Sequence, residues 1–111
     1  MNDQLLNLIN QPASQFSAVI AWIDQHYSFT PTQFQNGAQL NEANQNNGSC
    51  KVFALAQLHS LTAEQTLQLF CEHYRAVLEH PEGTDHQNIR QFMAQGFGGL
   101  RFSGEALALR S

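Results

Sequence analysis

Between His80 and Phe102 the chain spells out a turn, a helix start, a helix stop and a strand start in immediate succession. Pro81 ends any helix that reaches it, and Glu82-Gly83 make a turn. Thr84 followed by Gln87 reads as a capping box, which puts Asp85 and His86 in the first turn of a helix. Asp85 suits that place, because a helix start favours negative charge. Ile89, Phe92 and Met93 recur at helical spacing and are expected to face a core. Gly96 is placed to leave the helix in the left-handed region, with Phe97 folding back on Phe92. Leu100-Arg101-Phe102 then opens a strand. A chain that must do all this in so short a space folds as an α+β domain.

The remainder supplies partners for that stretch. Leu5, Leu6, Leu8 and Ile9 predict a short first helix. Phe16, Val19, Ile20, Ile23 and Tyr27 form one face of a second helix, with Ser14 as its cap and Trp22 off the stripe. Asn36-Gly37 signals a hairpin between Phe34 and Leu40. Residues 41–47 are almost free of apolar side chains and read as a surface loop. Ser49 is expected to cap a third helix running to about His59, buried nearly all round through Val52, Phe53, Leu55, Ala56 and Leu58. Thr62 and Gln65 form a capping box for a fourth helix, whose apolar stripe is Leu67, Phe70, Cys71, Tyr74, Val77 and Leu78. Glu72 and Arg75 are spaced to pair on it. Residues 100–102 and 106–109 read as two strands about a tight turn, able to pair with the 34–40 segment. The expectation is one domain over residues 1–111, with about five helices and a small, mostly antiparallel sheet drawn from residues ~30–40 and ~99–109.

Charge and cysteine use narrow the functional classes. Charged residues make up 13% of the chain and its net charge is −4. Nine Asn and fourteen Gln supply polarity instead. With one Lys, four Arg and no basic run, the chain is not built to neutralise phosphate backbones or to sit on an anionic membrane. No apolar run approaches the ~18 residues that cross a bilayer. The start of the chain lacks the basic end and long apolar core of a secretory signal. Cys50 and Cys71 read as free thiols of a cytoplasmic protein.

Several segments together resemble the HopJ type III effector family. They are Asn36-Gly37, Asn46-Asn47-Gly48-Ser49-Cys50-Lys51, Tyr74-Arg75-Ala76-Val77-Leu78, the run from Gly83 to Met93, and Gly96-Phe97-Gly98-Gly99-Leu100. Within them, Gly-Thr-Asp-His-Gln-Asn-Ile-Arg at 83–90 is the most specific. The resemblance spans nearly the whole chain. It implies a bacterial protein of a family named for delivery by type III secretion, and it carries no catalytic residue or ligand. The apolar-periodic N-terminus here differs from a Ser-rich, disordered secretion leader.

Two clusters carry the candidate chemistry. Cys50, expected in the first turn of a helix, is where backbone N–H groups favour a thiolate. Gln45 and Gly48-Ser49-Cys50 are similar to the turn before the nucleophile of papain-like cysteine proteases, with His86 downstream as base and Asp85 or Asn88 as its orienter. Gln45 stands one place too close for that family, and Lys51 replaces its aromatic residue. The alternative is a small side chain packed under a helix start. The second cluster is Asp85, His86, Asn88 and Arg90, read either as ligand contacts or as cap and loop ties. No Cys-x-x-Cys or His-Glu-x-x-His spacing occurs, so neither a metal nor another cofactor is expected.

The leading expectation is therefore a small binding or interaction domain, monomeric or weakly dimeric, acting on an unknown protein or a small polar ligand. Its cleft would lie between the 41–50 loop and the start of the 84–95 helix, using Gln45, Asn46, Asn47, Ser49, Asn88 and Arg90. The alternatives are a cysteine hydrolase with Cys50, His86 and Asp85, or a secreted effector acting on a host protein.

Overall fold

A computed structural model describes residues 15–109, so the first predicted helix and its Ser14 neighbour lie outside the described residues. Helix α1 (Phe16–His26) buries Val19 and Ile23 completely. It ends because Tyr27 turns extended, and the chain passes straight into strand β1 (Tyr27–Phe29). Tyr27, placed on the helical stripe by its spacing, is thus buried from a strand. The hairpin has the predicted place, β2 (Phe34–Asn36) against β3 (Gln39–Asn41). Its two turn residues are Gly37 and Ala38, one position later than Asn36-Gly37. Gly37 has φ +57°, and a Cβ there would meet the Gln91 Oε1 at 2.5 Å, so both backbone and packing require glycine.

Helix α2 (Asn47–Leu58) is the centre of the core. Val52, Phe53, Leu55 and Ala56 are fully buried, while Leu58 is half exposed, so its burial stops short of full circumference. The Phe53 ring contacts those of Phe34, Phe70 and Phe92 at 6.0, 5.4 and 5.0 Å, linking sheet and helices. Helix α3 (Ala63–Gln68) opens on the predicted capping box, with both reciprocal bonds between Thr62 and Gln65 present. The predicted fourth helix then breaks. Leu69, Phe70 and Cys71 form a turn, and Cys71 takes φ +53° before α4 (Glu72–Glu79). The break lets adjacent Leu69 and Phe70 both enter the core, which one continuous helix face does not allow. Glu72 accepts the Phe16 N–H at 2.7 Å, closing the start of α1.

Helix α5 (Gln87–Gln95) buries Asn88, Ile89 and Phe92, whereas Met93 faces outward. Gly96 ends it at φ +61°, and Phe97 returns edge-on to Phe92 at 5.0 Å, as the sequence implies. A 3-10 turn (Gly96–Gly99) leads into β4 (Leu100–Phe102), which pairs antiparallel with β2. Strand β5 (Leu107–Leu109) does not fold back on β4. It pairs antiparallel with β1, so the strands form a three-stranded sheet, β3-β2-β4, and a separate two-stranded one. The result is an α+β fold with a single core.

Candidate functional site

Four asparagines from β2, β3, the loop before α2 and the start of α5 form a buried amide network. Asn36 Nδ2 donates to Asn88 O at 2.8 Å and to Asn88 Oδ1 at 3.0 Å. Asn41 Nδ2 donates to Asn88 Oδ1, and Asn88 Nδ2 to Asn41 Oδ1, both at 2.9 Å. Asn46 Nδ2 donates to Asn41 Oδ1 at 2.6 Å. Asn36 and Asn41 are fully buried and Asn88 nearly so. Asn36 Oδ1 is a buried acceptor without a donor. Buried amides persist where their bonds define one arrangement of neighbouring elements, and here the network fixes the starts of α2 and α5 against the hairpin.

Both helix starts depart from the usual cap. An N-cap residue is normally extended and its side chain takes a first-turn N–H. Asn46 and His86, the residues before α2 and α5, instead adopt the left-handed region, with φ/ψ of 53°/48° and 53°/49°. Neither side chain caps its helix. Asn46 is committed to the amide network, and His86 lies beside His73 of α4 with ring centroids 5.0 Å apart. These findings correct the expected caps. Ser49 lies inside α2, and Thr84 with Gln87 forms no capping box. Gln87 Nε2 instead donates to Thr84 O at 2.6 Å.

Arg90 explains that difference. Its Nε donates to Asp85 O at 2.5 Å, Nη1 to Pro81 O at 3.1 Å, and Nη2 to His80 O at 3.0 Å and Asp85 Oδ1 at 2.7 Å. The guanidinium gathers the 80–85 loop and keeps Asp85 outside the helix. The same contact holds the Asp85 carboxyl below its ordinary range. His86 Nε2 stands 3.8 Å from the other Asp85 oxygen.

Between the two helix starts lies a pocket of about 400 Å³. Asn46, Gly48 and Ser49 line it from the approach to α2 and its first turn; His86, Gln87, Asn88 and Ile89 from those of α5; His73 from α4. Phe16, Phe70 and Gln39 complete it. Phe16 stacks on Phe70 at 5.7 Å and meets His73 edge-on at 5.0 Å. A Cβ on residue 48 would stand 2.9 Å from the Phe16 ring, so Gly48 permits the aromatic wall to close on the helix start.

The structure brings Asn46, Ser49, His86 and Asn88 together at this pocket and leaves the other candidates outside it. Gln45 accepts the Glu42 N–H at 3.1 Å. Asn47 is not part of the lining, and Arg90 is spent on the loop. Cys50 is 1% exposed, with its Sγ 3.7 Å from the Thr32 carbonyl oxygen. Burial pushes its thiol up, the reverse of activation, so a cysteine hydrolase is not favoured. Among the described residues no three His, Cys, Asp or Glu side chains group as a metal site requires. Sequence reasoning did not place Phe16, Gln39, Phe70 or His73 at this cleft; for Phe70 and His73, the break at Cys71 that orients α4 has no glycine or proline to signal it.

No helix among the described residues is long and apolar enough to cross a membrane. A crystal structure of a protein of unknown function, VPA0580, is similar at 46% identity, with a TM-score of 0.91 over 99% of this chain and 95% of that one. No curated protein matches the chain. The family model for HopJ type III effector protein matches residues 1–107, and the chain belongs to that family.

Proposed function

We propose that this HopJ-family domain is a binding protein that takes a small polar ligand into the pocket between the starts of α2 and α5. The observation that carries the reading is the combination of cavity and rigid polar wall. A pocket of about 400 Å³ is faced by Asn46, Ser49, His73 and His86 and backed by the buried amides of Asn36, Asn41 and Asn88. Binding sites are concave, with a few polar groups held in place by the scaffold. The unpaired, buried Cys50 and Cys71 support work in a reducing compartment such as the cytosol.

The test is a melting-temperature screen of small polar compounds against the protein and a Ser49→Trp variant, whose indole would fill the pocket. Ligands of the pocket raise the melting temperature of the protein and leave the variant unmoved. Compounds that stabilise both equally bind elsewhere, and a panel made only of such compounds contradicts the reading.

A further inference from the structure

Resting on that reading of the pocket, we infer that its ligand is an anion, a phosphate or carboxylate group carried on a flat apolar body. The chain carries more acidic than basic residues, nine against five, yet no Asp or Glu side chain is among those lining this pocket. The two carboxylates nearest in sequence to its imidazoles stay outside the lining and each has its own partner, although the second Asp85 oxygen stands 3.8 Å from His86 Nε2. Asp85 is bound by Arg90 at 2.7 Å, and Glu72 by the Phe16 N–H at 2.7 Å. The titratable side chains that do line the pocket are His73 and His86, from different helices, with rings 5.0 Å apart. Each imidazole can present an N–H donor, and an anion that bridges the edges of the two rings accepts from both.

The remaining polar lining favours the same sign of charge. Both α2 and α5 start at the pocket without a side-chain cap from the residue before them, and the N–H groups of Gly48, Gln87 and Asn88 come too early in their helices to have an intrahelical acceptor; that of Ile89 is already bonded to the His86 carbonyl. Ser49 adds a hydroxyl. The apolar remainder is flat: the Phe16 ring, stacked on Phe70 at an interplanar angle of 6°, with Ile89 beside it. A planar group of the ligand would lie on that ring while its charged head met the imidazoles and helix starts.

Four matched probes test the inference by amide chemical-shift titration of the full chain: phenyl phosphate, benzoate, benzyl alcohol and benzylamine. Phenyl phosphate and benzoate saturably shift Gly48, Ser49, Gln87 and Asn88, with an affinity that falls as salt is added. Benzylamine leaves these residues in place. A tighter fit of one anion over the other distinguishes phosphate from carboxylate. His73→Gln and His86→Gln each weaken the anion by about tenfold, the loss of roughly one charge-assisted hydrogen bond. Benzyl alcohol or benzylamine shifting the same residues as strongly as the anions overturns the anion while leaving a polar-ligand pocket. Anion shifts that survive unchanged in the double histidine variant also overturn it. If no probe, and no compound from the melting screen, moves these residues, the pocket reading itself fails.

Discussion

Asn88 is the hub of the interior amide network. It supplies acceptors to Asn36 and Asn41 and a donor to Asn41, all in the interior. Asn88→Ala removes these three interior bonds at about 1 kcal/mol each, leaving Asn36 Nδ2 only the carbonyl of residue 88 and Asn41 Oδ1 only Asn46. The expected loss is about 3 kcal/mol, read from urea unfolding, and a loss below about 0.5 kcal/mol would contradict the network's role. Cys50 is the counter-case. Its position after Gly-Ser near a helix start looks chemically poised in sequence, but in the fold it is buried with its Sγ on the Thr32 carbonyl. Alkylation of Cys50 in the native protein is predicted to be slow at pH 8 and to become fast only on unfolding. Rapid native-state labelling would contradict its burial.

Two segments with the same Thr-x-x-Gln pattern behave differently at the level of the element. Thr62 and Gln65 make the full capping box, whereas Thr84 and Gln87 make none. Local chemistry decides the first, because little else competes for those residues. At the second, Arg90 reaches back to three carbonyls and a carboxylate and sets the backbone of 80–85 before a cap can form. A capping box is visible in four residues; a clamp that spans ten is not. Thr62→Ala is therefore expected to cost about 1 kcal/mol. Arg90→Lys, which keeps the charge and loses the forked geometry, is expected to accelerate hydrogen exchange across 80–87. Unchanged exchange there would show that the loop stands without the clamp. The same argument explains the strands. Turn signals mark where 100–102 and 106–109 begin and end, but their partners, β2 and β1, lie far away in sequence. The cleft between the 41–50 loop and the 84–95 segment was legible because both carry dense polar runs. Its aromatic wall was not, since Phe16 and Phe70 read as ordinary core residues.

Taken whole, the molecule is held together by ties that weaken in acid. Tyr27 Oη and His59 Nε2 are hydrogen-bonded at 2.5 Å where β1 meets the end of α2, and burial pushes the His59 imidazole down. Burial alone would raise Glu72, but the Phe16 N–H and neighbouring cationic groups bring it below its ordinary value, and Arg90 does the same for Asp85. All three groups release protons more readily folded than unfolded. The unfolded chain therefore binds more protons as pH falls, and stability falls with it. The decline is expected to begin below about pH 6.5 as unfolded His59 titrates, and to steepen below about pH 5 with the carboxylates. The urea midpoint between pH 8 and 4 measures this, and a midpoint that rises on acidification would contradict it.

The most direct test of the account is a crystal structure of the protein soaked with whichever compound raises its melting temperature most. The account predicts ligand density between the starts of α2 and α5, in contact with Ser49, His73 and His86 and lying on the Phe16 ring. Density instead in the apolar groove lined by Val77, Leu78, Pro81 and Met93, with the α2–α5 pocket empty, would contradict it.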